Sequence, residues 1–363
     1  MSPPSPSPKI PVALSDYAEL ALHRLDANAL AYINGGAADE ITLRDNQAAF
    51  DRIRLQSSIL RDFRGATTRL RLLGLDLDHP IFIAPMAYHR LAHADGELAT
   101  AHGAQAVGAP MVVSTQASAD LEDIARSTRS PLWFQLYIQP DRDFTRRLVA
   151  RAAACGYRAL MVTVDSPASL RNREQRAGFR LPAGIEAVNL AGMAPTPAHG
   201  GGIGESPLFS GFLAGAPTWE DIAWLRGLTK LPILLKGVLN PADARRAVAL
   251  GIDGLVVSNH GGRVLDTLPA TIDALPAIAA EVKGAVPLLV DGGIRRGTDI
   301  VKSIANGASA VMVGRPVLHA LSAAGAPGVA HALHLLRAEL EVAMTLVGCA
   351  RLEDISPDVL FAS

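Results

Sequence analysis

The sequence predicts an α/β fold, a parallel (β/α)8 TIM barrel with an N-terminal helical extension and a long loop after strand 4. Three observations carry this. Eight short apolar runs recur from about residue 80 onward, amphipathic stretches separate them, and nearly every run ends on a polar or ionisable residue. Unbroken apolar runs suit strands buried on both faces, and this many strand–helix units favours a closed barrel over an open sheet.

The runs are IFIAP (81–85), MVVS (111–114), LWFQLY (132–137), ALMVTV (159–164), ILLK (233–236), GLVVS (254–258), LLVD (288–291) and AVMVG (310–314). Helical spacing of apolar residues predicts helices over 94–107, 120–127, 142–154, 219–228, 241–250, 271–283 and 298–306. Start signals stand at Asp120, at Asn240 before Pro241, and at Thr298 before Asp299. A last helix over 328–348 is expected outside the barrel, which spans 80–357. Residues 16–79 read as a helical extension with a less regular segment before the first strand. Residues 1–15, rich in Pro and Ser and without the apolar stretch of a signal peptide, read as a disordered lead-in. The segment 182–218, crowded with Gly, Pro and Ala, breaks the alternation and reads as a mobile lid or insert.

Composition excludes several classes. The 363 residues, 49% apolar and 19% charged, can bury a large core. Lys plus Arg number 34 against 35 Asp plus Glu, so no basic excess is available to track nucleic acid. No apolar stretch reaches the ~18 residues of a membrane span. Cys155 and Cys349 lie far apart with no metal-ligand spacing, which fits two core thiols, a reducing cytoplasmic setting and no metal site.

In such barrels the chemistry sits at the strand C-termini. Met86 and Ala87 follow the first run, Ser114 ends the second, Gln135 and Tyr137 close the third, and Thr163 and Asp165 close the fourth. Lys236 ends the fifth, Ser258 and His260 the sixth, Asp291 the seventh, and Gly314 with Arg315 the eighth. The sixth is the most informative, because His260 and Arg263 share one glycine-rich turn. A neutral imidazole takes a proton and a guanidinium grips a carboxylate, so the pair suits an acid with a removable proton nearby. DGGIRRGTD (291–299) and VGRP (313–316) place Gly293, Arg295, Gly314 and Arg315 after strands seven and eight, the usual phosphate position of this fold. Ser114, Gln135 and Thr163 offer the hydrogen bonds that a flavin edge needs, and Lys236 offers charge for a reduced flavin.

These residues resemble the FMN-dependent 2-hydroxy acid oxidase and dehydrogenase family, which includes glycolate, lactate and mandelate oxidising enzymes. The similarity runs from about residue 16 to 357. Its most specific pieces are KGVLNPADARRAV (236–248), SNHGGR (258–263) and DGGIRRGTD (291–299), with AYINGGAADEITL (31–43), IAPMAYHRLAH (83–93), WFQLY (133–137) and TVDSP (163–167) in support. The resemblance implies His260 as base, Asp165 as its partner and Arg263 as main carboxylate clamp. It puts the hydroxyls of Tyr32 and Tyr137 near substrate, Lys236 beside flavin N1, and the backbone of Met86 and Ala87 at flavin N5. Ser114, Gln135, Thr163 and Ser258 would hold the ring and ribityl chain, Asp291 the ribityl hydroxyls, and Gly293, Arg295, Gly314 and Arg315 the phosphate.

The segment DSPASLRNREQRAGF departs from the family spacing, so that Arg173 matches the second substrate arginine best and Arg171 competes. Gln116 stands where glycolate oxidase has a tryptophan over the substrate, and with Ser169 it implies a wider or more polar pocket. Tyr88-His89-Arg90 looks closest to the hydroxymandelate and lactate oxidising members. The resemblance thus implies FMN as cofactor, oxidation of a lactate- or mandelate-like (S)-2-hydroxy acid to the 2-oxo acid with O2 reduced to H2O2, and a homotetramer. A soluble dehydrogenase with a quinone or protein acceptor is the alternative reading, and an FMN-bound isomerase on the same barrel a more distant one. Residues alone leave open whether the proton leaves the hydroxyl or Cα.

Overall fold

In the computed structural model, residues 10–193, 206, 208–209 and 212–361 are described. The chain enters through three helices, α1 (Leu14–Arg24), α2 (Ala27–Asn34) and α3 (Ile41–Arg52). Asp26 starts α2 by accepting the Ala29 N–H at 2.7 Å, and the helix ends on Gly35. A hairpin, β1 (Leu70–Leu72) and β2 (Leu75–Leu77), then turns through Leu73 and Gly74, whose φ values of 46° and 77° suit a tight antiparallel turn. It occupies the segment that the sequence left irregular.

Eight strands follow: β3 (Ile81–Ile83), β4 (Met111–Ser114), β5 (Leu132–Leu136), β6 (Leu160–Thr163), β7 (Ile233–Lys236), β8 (Gly254–Val257), β9 (Leu288–Val290) and β10 (Ala310–Val313). They close into a barrel in chain order, with β10 returning to β3 and every neighbouring pair parallel. Each lies inside its predicted run. The helices are α4 (Gly96–Ala106), α5 (Leu121–Ser127), α6 (Arg142–Ala154), α7 (Asn172–Arg176), α8 (Trp219–Leu228), α9 (Pro241–Ala249), α10 (Thr271–Val282), α11 (Gly297–Ala305) and α12 (Arg315–Val347).

Three features differ from expectation. α7 lies in the loop after β6, where no helix was expected. α12 begins directly after β10, and non-helical torsions at Ala324 and Gly325, followed by Pro327, divide it so that its second half covers most of the predicted C-terminal helix. Cys349 is buried, but Cys155 is only partly so. Within 182–218, residues 194–205, 207 and 210–211 lie outside the described residues, as do residues 1–9 of the lead-in. The start of the insert is anchored, since buried Asn189 accepts the Leu121 N–H at 3.0 Å and donates to the Ala119 carbonyl at 3.1 Å.

Strand periodicity explains why the site collects where it does. The barrel lumen is filled by Phe82, Val112, Trp133, Met161, Leu234, Val256, Leu289 and Met312, while Leu72 and Leu77 of the hairpin close its lower end. Side chains alternate along a strand, so two residues beyond each lumen residue the chain points inward again, now at the upper mouth. Those positions are Ala84, Ser114, Gln135, Thr163, Lys236, Ser258, Asp291 and Gly314. One apolar layer thus carries one chemical layer.

The extension buttresses this mouth. Asn46 of α3 and Asn259 exchange two amide hydrogen bonds at 2.9 and 2.8 Å, both side chains buried. The loop after β9 lies so close that a Cβ on Gly293 would stand 1.9 Å from the Asn46 carbonyl oxygen, at a φ of +94°. Gly293→Ala is expected to lower the unfolding midpoint by more than Gly284→Ala, because Gly284 has a similarly positive φ but open space around it. Thermal melts of the two variants compare contact with torsion, and equal shifts would refute the packing role of Gly293.

Candidate active site

The upper mouth is an open cavity of about 140 Å³. Its wall includes Tyr32, Met86, Ala87, Ser114, Gln116, Gln135, Tyr137, Thr163, Lys236, His260, Arg263, Asp291, Gly293, Arg295, Gly314 and Arg315, all singled out from the sequence. Ser258 lies behind that wall, fully buried, and accepts hydrogen bonds from Lys236 Nζ at 2.9 Å and the His260 N–H at 3.1 Å.

His260 Nδ1 is 3.0 Å from Asp165 Oδ1. Gly237 permits this approach, because a Cβ there would stand 2.4 Å from Asp165 Cβ, on a backbone with φ of +107°. Burial raises the Asp165 pKa, but the His260 hydrogen bond and the nearby charges outweigh it and hold the carboxyl below its ordinary value. An ionised carboxylate only accepts, so Nδ1 carries the proton and Nε2 is left as the basic nitrogen. Burial, helped by the charges of Lys236 and Arg263, moves His260 below 6.5 despite Asp165, so the free imidazole is neutral at physiological pH.

Arg263 lies 5.1 Å from the Tyr32 ring centre, and its NH1 donates to the carbonyls of Tyr32 at 2.7 Å and Gly35 at 2.8 Å. Arg315 donates to the carbonyls of Ile33, Gly261 and Gly35 at 3.0, 2.9 and 3.0 Å. The Arg295 guanidinium donates to the Ile294 carbonyl at 2.9 Å. Among the described residues, neither Arg295 nor Arg315 has a carboxylate within ion-pair distance. Burial lowers the Arg295 pKa to about 10 and that of Arg315 well below its ordinary value, as expected of cations that want an anion. The N-terminus of α11 is not free to bind that anion, because Asp299 already accepts the Arg295 and Arg296 N–H groups at 2.9 Å each.

Lys236 is fully buried and lies 3.0 Å from Asp291 Oδ2. Burial alone would lower its pKa, but Asp291 and Asp165 raise it overall, so the ammonium persists. Tyr32 is pushed up to about 12 and Tyr137 is raised, both mainly by burial, so both keep their phenolic protons.

The choice between the two arginines falls against the expectation. Arg171 lines the cavity, whereas Arg173 is about half exposed and pairs with Glu40. Arg171 is the residue before α7, with non-helical torsions, whereas Arg173 lies within the helix. Ser169 is exposed, with its Oγ accepting from Arg171 Nε at 3.3 Å. His89 is buried away from the cavity and Arg90 is exposed. Two participants were not foreseen. Glu174 joins Arg171 and Arg263, and Phe179 stacks on Tyr32 at 4.7 Å. The three-residue spacing of Arg171 and Glu174 was the available signal, had α7 been recognised.

The family model for FMN-dependent dehydrogenases matches residues 21–362. The chain belongs to this family. It is 47% identical over 364 residues to an L-lactate oxidase from Alicycliphilus denitrificans, covering 99% of this chain and 100% of that protein. It is 45% identical to a peroxisomal (S)-2-hydroxy-acid oxidase from Oryza sativa subsp. japonica, covering 96% and 95%. A solved mandelate oxidase with (S)-2-phenylpropionate superposes with a TM-score of 0.88 at 39% identity, covering 98% and 99%.

FMN is the cofactor of this family, and the residues present fit it. Gln135 Nε2 and Asp291 Oδ1 are buried without hydrogen-bond partners, as groups awaiting ring and ribityl atoms would be. Arg295 and Arg315 supply the charge for a phosphate where Gly292, Gly293 and Gly314 let it approach. Arg315→Met is therefore expected to weaken FMN binding by ~10–100-fold, the worth of one charge-assisted hydrogen bond. Titration of apoprotein with FMN, followed by flavin fluorescence, measures this, and unchanged affinity would remove Arg315 from the phosphate site.

Proposed function

We propose that this protein oxidises an (S)-2-hydroxy acid of lactate or mandelate type to the 2-oxo acid, with O2 reduced to H2O2. The observation that carries the reading is the His260–Asp165 pair beside a carbonyl-anchored Arg263 in one cavity. Relatives named for lactate, 2-hydroxy acid and mandelate oxidation support the substrate class. FMN held by Ser114, Gln135, Thr163, Asp291, Arg295 and Arg315 would supply the two-electron chemistry that links the acid to oxygen. Arg263, with Arg171, holds the substrate carboxylate, and Tyr32 and Tyr137 supply protonated hydroxyls beside it. His260 Nε2 takes a proton, and Asp165 stabilises the imidazolium that results. Lys236 keeps a fixed positive charge among Ser258, Asp291 and the ring site. The resemblance also carries a homotetramer, and the composition of the chain a cytoplasmic setting. The free thiols Cys155 and Cys349 are compatible with that setting. Among the described residues no helix is long and apolar enough to cross a membrane.

The purified protein is expected to be yellow, to bleach anaerobically with L-lactate or (S)-mandelate, and to form peroxide stoichiometrically on readmission of oxygen. Bleaching followed by slow reoxidation would favour a dehydrogenase instead, and colour with no bleaching by either acid would reject the oxidation. His260→Ala should slow the bleaching rate by ~10²–10⁴-fold with the flavin spectrum retained.

The pH profile follows from the depressed His260 pKa. The base works neutral, so kcat/KM should stay level from pH 7 downward past the ordinary histidine value of 6.5 and fall only below it. Asp165→Asn removes an interaction that raises this pKa, so the acid limb should move lower while kcat drops. An acid limb that moves upward in Asp165→Asn would contradict the pairing.

A further inference from the structure

We propose that Glu174 is an internal occupant of the carboxylate clamp, which the substrate must displace and which therefore sets affinity for the acid. This rests on the reading of Arg263 and Arg171 given above. Arg263 has committed NH1 to the Tyr32 and Gly35 carbonyls, so NH2 is the end that can meet an acid. Glu174 Oε1 already holds it at 3.1 Å, and the same oxygen accepts from Arg171 NH1 at 3.2 Å. The side chain is 14% exposed, so this is a pair largely withdrawn from water rather than a surface contact.

Two features make the contact displaceable. One carboxylate oxygen shared between two guanidiniums is a poorer arrangement than the two-oxygen grip that an incoming carboxylate can offer both arginines. The helix that carries Glu174 is a single short segment with none of its residues buried, so swinging Glu174 outward breaks little packing. The contact keeps two neighbouring cations paired before the acid arrives, and release of Glu174 accompanies binding. Arg173, one residue earlier, is held apart from this exchange by its pair with Glu40.

The test titrates acetate and benzoate, monocarboxylates without an oxidisable hydroxyl, into the yellow holoenzyme and reads binding by flavin absorbance and by calorimetry. Glu174→Gln keeps shape and removes charge. It should bind both anions at least about tenfold more tightly than wild type, the loss of one competing charge-assisted bond. Should Glu174→Gln not fold, Glu174→Asp carries the same expectation, because it is one methylene short of both guanidiniums. Arg173→Gln should leave both affinities unchanged. Equal or weaker binding in the Glu174 variants overturns the proposal and makes Glu174 a scaffold for the arginines. Wild type that bleaches with a 2-hydroxy acid yet gives that result fails only this inference. Wild type that bleaches with none fails the functional reading itself.

Discussion

The C-terminus of α2 is the constraint on which the rest of the site depends. The last carbonyls of a helix have no partners within it and carry partial negative charge. Here those of Tyr32 and Ile33, with that of Gly35 just beyond, receive two guanidiniums from strand ends one strand apart, Arg263 after β8 and Arg315 after β10. The two cations repel, which contributes to the depressed pKa of Arg315. Fixed carbonyl dipoles hold them side by side without cancelling either charge, so that Arg315 carries no carboxylate partner among the described residues and Arg263 keeps only the shared Glu174. The N-terminal extension is thus a wall of the active site rather than an appendage to the barrel.

That dependence reaches the base as well. His260 has a left-handed backbone with φ of 57°, a costly conformation for a residue with a Cβ. It persists because its neighbours are over-determined. Ser258 Oγ accepts the His260 N–H, Asn259 is locked to Asn46 of α3, and Asp266 further along accepts the Asp39 and Thr42 N–H groups. The turn that bears the chemistry is therefore pinned twice by the extension and once by its own strand. Gly237 completes the arrangement from β7 by leaving room for Asp165.

Legibility in the sequence followed the range of the forces involved. Apolar runs and helical spacing are local, so the eight strands and the helices between them could be read, and the polar residues that end most of the runs marked the mouth. The strand ends bring Asp165 and His260 to one mouth without fixing that they meet, and the structure puts their side chains within hydrogen-bond reach. What the sequence concealed were contacts made by backbone or by short irregular segments. The carbonyls of Tyr32, Ile33 and Gly35 have no sequence signature, because every residue has a carbonyl. The choice between Arg171 and Arg173 turned on a five-residue helix too short to show periodicity, and Glu174 was hidden by the same omission.

Charge balance ties these parts together. Five cations, Arg171, Lys236, Arg263, Arg295 and Arg315, gather here with three carboxylates, Asp165, Glu174 and Asp291. Lys236 is matched by Asp291, and Asp165 serves the neutral imidazole until it is protonated. The surplus therefore concentrates at Arg295 and Arg315, where a phosphate carrying about −1.5 to −2 would consume it. Arg171 and Arg263 keep one net positive charge while Glu174 bridges them, and a further carboxylate can take both guanidiniums only when Glu174, on a short helix with no fully buried residue, withdraws. On the proposed reading, cofactor and substrate would draw on separate pairs of arginines. Arg295 and Arg315 have no carboxylate within ion-pair distance among the described residues, whereas Arg171 and Arg263 share Glu174, so one positive mouth would hold one anion firmly and exchange another.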